Sequence, residues 1–403
     1  MRNSFMTSIP RLPSIIIQHS YEPTHRARHR RYYYADRDGW KWQRPNLFCT
    51  NEYLFTQTIV VPYLIPMLQN AGAIVFTPRE RDWQTNEIVI DNDDAVKSVY
   101  YFEKEGSKRW KKCDSLGFAN RYRLKDGENP FRMGTVRQAK ATKRKKTSQV
   151  SYQPRFKEAG KYAVYVSYQS LPKSVSDARY IVYHKGVATE FSVNQRMGGG
   201  TWVYLGTFDF DKGCNEFNRV VCTNKASRRG VVTTDAVRFG GGMGNIERGG
   251  YTSGLPRCLE GARYYAQWAG APYKVYGGRK GENDYAYDIN TRSLMTNWLG
   301  GGSVYMPAKN GKHVPIELSL ALHSDAGYNK DGKSTVGALA ICTTDYNDGI
   351  LNSGISRFTS KDFARALRDN LVTDLTAQFG EFGKRYLWAR NYSETRLPEV
   401  PSS

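Results

Sequence analysis

The sequence has few features that would assign it to a disulfide-rich, zinc-ribbon or membrane class. Its six cysteines are scattered over 403 residues without a Cys-x-x-Cys pair, so neither a zinc ribbon nor a disulfide framework is indicated. No run approaches the roughly 18 apolar residues that a membrane span requires. Residues 1–20 also lack a charged region followed by an apolar core and a small-residue cleavage site. The sequence therefore predicts no membrane span and shows no export signal.

Acidic residues are scarce relative to basic ones. The chain has 38 Asp and Glu against 59 Lys and Arg, a formal net charge of +21, and the basic residues concentrate in 25–31 and 137–146. Such charge attracts polyanions. Because no helix-turn-helix, zinc-finger or RNP signature accompanies it, we predict no nucleic-acid partner and retain anionic envelope glycans as the polyanion class. A solvated basic face is the simpler alternative.

The central part of the chain has the pattern of an all-β domain. Apolar residues make up 40% of the sequence and aromatic residues 13%, which is enough for real cores in a chain with room for two or three domains. Within 151–245, short runs rich in Val, Tyr, Phe and Thr alternate with glycine-containing turns. This spacing predicts a β-sandwich. Its Trp202 and Tyr204 could stack on a sugar, but we expect them to pack in the core.

Helices and strands alternate on either side of this block. Apolar residues recur at helical spacing after Thr50, with Pro62 and Pro66 predicted to kink or split the helix, and a strand follows at 73–76. Strands are also predicted at 315–323 and 335–342, and a helix after Thr359. The pattern predicts an α/β domain formed by 1–95 and 246–403, with 96–150 as a connecting segment and 151–245 as an inserted sandwich.

Two residues of this α/β domain are candidates for metal chemistry. His323 ends a predicted strand and Glu52 lies in the first turn of a predicted helix. Hydrolysis of a stable amide needs an activated water, and zinc held by three protein ligands lowers the pKa of its water to about 7. Two histidines and one carboxylate form such a set. A partly buried histidine satisfied by a neighbour is the alternative for His323.

Several segments, taken in order, resemble known families. One group resembles zinc-dependent N-acetylmuramoyl-L-alanine amidases of the type-3 class, in the large Bacteroidetes versions often labelled xanthan lyases. These segments are Trp40-Lys-Trp-Gln-Arg44, Thr50-Asn-Glu52, Pro66-Met-Leu-Gln-Asn-Ala-Gly72, Pro78-Arg-Glu-Arg-Asp82 and Leu322-His-Ser-Asp-Ala-Gly327. A second group is similar to the golvesin C-terminal-like domain inserted in those proteins. It comprises Phe191-Ser-Val-Asn-Gln195, Gly200-Thr-Trp-Val-Tyr-Leu-Gly206 and Asp235-Ala-Val-Arg-Phe239.

The resemblance implies a three-layer amidase-like sheet domain and a Zn²⁺ site. Glu52 and His323 match two of the family's zinc ligands. His29, eleven residues before Trp40, matches the third by spacing, while His19 follows a strand-like run and is the alternative. The family's catalytic glutamate would lie beyond Ser403, so no catalytic residue is assigned within the chain and we expect impaired turnover. Without that glutamate, Glu394 or Glu399 would have to act as acid/base.

By this resemblance the protein would hydrolyse the amide between N-acetylmuramic acid and L-alanine in peptidoglycan. Its location would be the periplasm, the cell envelope or the exterior. Two other functions remain open. A carbohydrate-binding envelope protein would retain the sandwich and need no metal, and a xanthan-type polysaccharide lyase would use a Tyr/His or Arg base without zinc.

Overall fold

The computed structural model describes residues 14–19, 32–35, 39–41, 52–94, 100–278, 283–324, 327, 329–331 and 334–403. Among these residues, strands are more extensive than helices. The chain divides into two compact units. The described residues of the first unit lie within 32–40 and 79–278, and those of the second within 14–19, 41–78 and 283–403.

Most strands are short. In chain order they are β1 Ser14–His19, β2 Tyr32–Tyr34, β3 Gly39–Lys41, β4 Ile74–Phe76, β5 Ile88–Asp91, β6 Tyr101–Lys104, β7 Lys111–Gly117, β8 Leu124–Lys125, β9 Gly134–Lys140, β10 Gln149–Tyr152, β11 Gly160–Val166, β12 Ala178–His184, β13 Val187–Val193, β14 Val203–Phe210, β15 Arg219–Thr223, β16 Val231–Thr234, β17 Ala236–Phe239, β18 Ile246–Glu247, β19 Leu318–Leu322, β20 Ala338–Cys342 and β21 Lys384–Ala389.

The helices are concentrated outside the central β-rich block. The α-helices are α1 Glu52–Ile59, α2 Ile65–Asn70, α3 Ala262–Trp268, α4 Tyr273–Tyr276, α5 Asp284–Gly300, α6 Phe358–Phe379 and α7 Ser393–Arg396. A π-helical turn, Val60–Leu64, joins α1 to α2 at Pro62, where proline removes a backbone donor. Among the described helices, none is both long and apolar enough to cross a membrane.

The first unit contains two larger antiparallel sheets and a smaller one. Their strand orders are β13-β12-β15-β10-β6, β14-β11-β17-β5 and β16-β9-β7. Tyr180 and Val182 of β12 are buried while the residues between and after them are half-buried, the two-residue period of a sheet with one covered face. Phe191 of the first sheet meets Phe208 of the second with ring centroids 6.1 Å apart. Side chains of the two sheets therefore share a core.

An aromatic cluster forms part of this core beside α3. Trp202 is 7% exposed, and its ring lies 4.8 Å from Phe118 and 5.2 Å from Phe131. Trp268 of α3 lies 5.9 Å from Trp202 and 5.6 Å from Phe118. Edge-to-face contacts of this kind add to the free energy gained by burial. Core packing of Trp202 is thus confirmed.

The structure differs from the prediction in residues 96–150. Strands β6 to β10 lie where a connecting segment was predicted, and all of them join sheets of the first unit. Strand β7 shows the reason, because only Cys113 and Gly117 among its seven residues are buried. Its exposed positions are Lys111, Lys112, Asp114 and Leu116, so apolar residues do not mark its buried face. Inward-facing and outward-facing residues do alternate along β7, but the inward-facing side chains are too small for the strand pattern to be recognised from the sequence.

The second unit contains a three-stranded parallel sheet of order β19-β1-β4. Ile15 pairs with Leu318 on one side of β1 and with Val75 on the other. The core on this sheet includes Ile17, Val60 and Val75, contributed by β1, the π-helical turn and β4. Burial of β-branched residues on a short parallel sheet covered by a helix is typical of a strand-helix-strand unit.

The predicted fold class, a three-layer amidase-like α/β sheet domain interrupted by a sandwich, is wrong for the chain. The chain is mostly β, in several small sheets. The strands of the second unit do not form one continuous sheet, because β20 pairs with β21 in a separate parallel pair. On β19, Ser319 instead forms a parallel bridge with Ser402. Local apolar runs predicted several of these strands but not which strand each one would pair with.

Candidate functional site

The carboxyl end of β19 brings together the two residues predicted for metal chemistry. His323 directly follows β19, and Glu52 is the first residue of α1. Strands β1 and β19 are parallel neighbours in which His19 pairs with Leu322, so both strands end at the same edge of the sheet. Side chains beyond the carboxyl ends of parallel strands meet there. The topology thus places His323 beside the start of α1.

The contact between these side chains is close and partly buried. Glu52 Oε1 lies 3.1 Å from His323 Nδ1, with the Glu52 side chain 3% exposed and the His323 side chain 32% exposed. The Ser324 backbone N–H donates to the same Glu52 oxygen at 2.8 Å. Glu52 also stands at a helix start, where the helix dipole favours a carboxylate. The carboxylate is therefore fixed in position, while the imidazole is accessible from solvent.

Glu52 and His323 fit two of the three predicted zinc positions. An imidazole nitrogen and a carboxylate oxygen 3.1 Å apart could both lie roughly 2 Å from one ion. The third predicted ligand, His29, lies outside the described residues. His19 is the last residue of β1. Within the described residues, no group of three His, Cys, Asp or Glu side chains is arranged to hold a metal, so the zinc site stays a prediction.

A buried ion pair of α7 lies within electrostatic reach of His323. Glu394 accepts a 2.6 Å hydrogen bond from Arg292 of α5, with side chains 12% and 6% exposed. Burial alone would raise the pKa of the Glu394 carboxyl, but the charges of Arg292 and His323 hold it below its ordinary value. Glu394 is thus held as a carboxylate. Glu399 instead accepts the Asn352 N–H at 3.0 Å.

The first unit has its own buried ionic network, in which no predicted site residue takes part. Arg238 donates to Glu80 at 2.6 Å, both side chains being fully buried, and its guanidinium carbon lies 3.8 Å from the Tyr165 ring centroid. Arg257 donates to Glu87 at 2.5 Å. Burial and the nearby Glu80 charge raise the pKa of the Asp82 carboxyl to about 6. The network is enclosed, which suits a structural role better than ligand binding.

Comparison with known proteins identifies the central part of the chain. Residues 126–241 match the model of the Golvesin C-terminal domain. The chain carries a golvesin-like domain. Trp202, the Arg238 guanidinium and the turn-bounded strands β11 to β17 all lie in this golvesin-like domain, while the first unit extends beyond it on both sides. The golvesin-like domain expected from the sequence segments is therefore confirmed. This match does not test the amidase part of the resemblance.

A curated relative is the xanthan lyase of Bacillus sp. (strain GL1), 34% identical over 97 residues. The match covers 24% of this chain and 10% of the relative, so the chain corresponds to about a tenth of that protein. Among solved structures, Paenibacillus xanthan lyase is 21% identical over 38% of this chain and 13% of its own, with a TM-score of 0.29. The C-terminal CBM6 of a Zobellia galactanivorans laminarinase is 15% identical over 38% of this chain and 99% of its own, with a TM-score of 0.24.

Sequence reasoning missed the partners that hold the candidate residues. Arg292 lies in α5, in which apolar and polar residues are not separated onto different faces. Its position in the sequence gives no sign that it pairs with Glu394, 102 positions later. The Ser324 N–H has no side-chain signal at all. Arg292 is flanked by buried residues of α5, and a buried arginine needs a carboxylate partner. An expectation that α5 is buried would therefore have predicted such a partner.

Proposed function

We propose that the protein binds a polysaccharide of the cell envelope through its golvesin-like domain. The observation that carries this proposal is the family match over 126–241, supported by 34% identity to a xanthan lyase over 97 residues. A lyase of xanthan acts on a polysaccharide, and a domain shared with it is suited to holding such a chain. The closed aromatic and ionic core of the first unit gives the domain a rigid framework, so its surface needs little reorganisation on binding.

Binding can be measured without assuming catalysis. The full chain is titrated by isothermal calorimetry with xanthan, with a neutral glucan and with solubilised peptidoglycan, in the presence and absence of a chelator. We expect binding to at least one of these glycans that is unchanged by the chelator, because no metal is needed to hold a sugar on a protein surface. Absence of binding to all three would contradict the proposal.

A second candidate function is favoured by the 3.1 Å contact between Glu52 and His323. We infer a hydrolytic zinc site there, acting on the amide between N-acetylmuramic acid and L-alanine. Bound zinc would supply Lewis acidity and a water of lowered pKa. The chain's own contribution is positional: the Ser324 N–H and the helix start fix the Glu52 carboxylate, and His323 faces solvent where a substrate can approach.

The hydrolytic candidate is tested first by metal analysis of the purified chain. We expect about one zinc per chain, and loss of most of it in Glu52→Gln and in His323→Ala, because each change removes one of three ligands. His313→Asn is the matched control, since it removes an exposed histidine of the same unit at φ 62°, a conformation that asparagine tolerates. Wild-type protein without zinc would contradict this candidate.

The reaction products then separate hydrolysis from elimination. An amidase releases peptide and leaves free lactyl groups on the glycan. A polysaccharide lyase instead leaves an unsaturated uronate, which is detected as a rise in ultraviolet absorbance. Formation of the unsaturated product by a zinc-free chain would favour the lyase over both other functions.

A further inference from the structure

Three loops at one end of the first unit carry a concentration of basic residues. The loops are 105–109, 141–147 and 224–230, and together they contain nine Lys or Arg residues and one acidic residue, Glu105. All nine basic residues are exposed. We call these three loops the basic end. It contains Lys143, Arg144, Lys145 and Lys146 from the second basic run of the sequence.

Backbone hydrogen bonds fix the three loops against each other. The Ser107 N–H donates to the Lys146 carbonyl at 3.2 Å, and the Ala226 N–H donates to the Thr142 carbonyl at 3.1 Å. Asn224, which is fully buried, accepts the Ser148 N–H at 2.8 Å and donates to the Lys140 carbonyl at 3.0 Å. The basic residues are therefore held together by a buried polar framework and are not carried by independent loops.

A glycine makes the closest of these approaches possible. A Cβ atom at Gly106 would clash with the backbone of Thr147, so the loop 105–109 can lie against the loop 141–147 only without a side chain at this position. The spacing of the two loops is thus set by backbone packing. This packing holds the segments that carry Lys108 and Lys146 against each other.

Most charges of the basic end have no carboxylate partner among the described residues. Arg109 pairs with Glu105 at 3.2 Å, and both side chains are largely exposed. Among the described residues, no carboxylate oxygen lies within 4.0 Å of a charged nitrogen of the other eight basic side chains. Asp177 accepts the Ser227 backbone N–H. Eight like charges held this close create a positive potential that an anion lowers.

The chemistry of the loops selects among polyanions. Residues 105–109, 141–147 and 224–230 include no aromatic residue on which nucleic-acid bases could stack, and no helix that could enter a groove of a duplex. Flexible lysines and arginines match anionic groups spaced along a chain of sugars. We propose that the basic end is the binding site for an acidic polysaccharide, one carrying carboxylate, sulfate or phosphate groups. This deepens, and rests on, the proposed glycan binding by the golvesin-like domain.

The test compares two variants with the same change in net charge. The first replaces Lys143, Arg144, Lys145 and Lys146 by glutamine at the basic end. The control replaces Arg155, Lys157, Lys161 and Lys212 by glutamine; all four are exposed, and the bond from the Phe156 N–H to the Gly213 carbonyl places them past the other end of β10. Since only exposed side chains change, both variants should fold, which circular dichroism verifies.

Polygalacturonate, dextran and poly(U) RNA serve as the acidic glycan, neutral glycan and nucleic-acid probes. We expect the full chain to bind polygalacturonate with an affinity that falls steeply as salt is raised. The basic-end variant should lose at least about tenfold in affinity, and the control less than about threefold, because local charge density decides binding more than net charge.

Three results would overturn the inference. They are equal losses in the two variants, no loss in the basic-end variant, and binding of poly(U) in preference to polygalacturonate. A failure of the proposed glycan binding would give a different set of affinities. A wild-type chain that binds neutral or acidic glycan with an affinity insensitive to the basic-end substitutions refutes the basic end alone. A chain that binds none of the glycans refutes glycan binding as well.

Discussion

Replacement of Trp202 by alanine tests whether this side chain holds the first unit together or contacts sugar. Trp202 is 7% exposed and packs against Phe118, Phe131 and Trp268 at centroid distances of 4.8, 5.2 and 5.9 Å. The alanine variant loses these contacts and leaves a cavity among rings that cannot collapse onto it. Such truncations cost about 3–5 kcal/mol of unfolding free energy.

Two further variants sharpen the interpretation. The Trp202 indole N–H is buried and has no hydrogen-bond partner among the residues that the structure describes, so Trp202→Phe removes an unsatisfied donor along with part of the ring and should cost less than half as much as alanine. Trp83→Ala is the matched control, because Trp83 is 48% exposed and its loss should cost under about 1 kcal/mol. Both comparisons change one aromatic side chain within the same unit.

Urea denaturation followed by circular dichroism measures these differences. For the alanine variant the midpoint of the first unit should fall by about 1–2 M urea. Affinity for polygalacturonate, measured where the variant is still folded, should be unchanged within about twofold. A Trp202→Ala protein of wild-type stability that has lost glycan binding would refute core packing and make Trp202 a sugar platform.

Three other predictions follow from buried charges. Glu80→Gln should destabilise the first unit by up to about 3–5 kcal/mol, since the buried Arg238 then loses its 2.6 Å carboxylate partner and keeps only Glu87 at 3.4 Å; Glu190→Gln, which breaks an exposed ion pair, should cost under about 1 kcal/mol in the same denaturation assay. Because the folded pKa of Asp82 is raised to about 6 from 3.8, the folded state holds the extra proton and stability falls as pH rises between these values, by about 1.4 kcal/mol per unit. Asp82→Asn should lower that slope by about 1.4 kcal/mol per unit, while the raised pKa values of Asp91 and Asp235 maintain the rest of it; an unchanged slope would show that Asp82 does not contribute. Glu52→Gln should lower zinc content without unfolding the chain, as measured by metal analysis and circular dichroism.

The sequence by itself determined the elements that depend on local pattern. The two-residue period and glycine turns of 151–245 predicted strands that the structure contains, and helical spacing predicted the helix that begins at Glu52. The segments around Trp202 and Asp235 were sufficient to indicate a golvesin-like domain. These features follow from side-chain period and turn chemistry over a few neighbouring residues.

Tertiary structure alone decided which distant residues meet. Glu52 and the Ser324 N–H are 272 positions apart, and they touch because β1 and β19 are parallel neighbours in one register. The pairing of β20 with β21 in place of β19, and of Glu80 with Arg238, is likewise absent from any local pattern. Strand partners and buried ion pairs depend on which side chains pack together over large areas. Those areas are formed only when distant parts of the chain come together on folding, so no local pattern in the sequence predicts them.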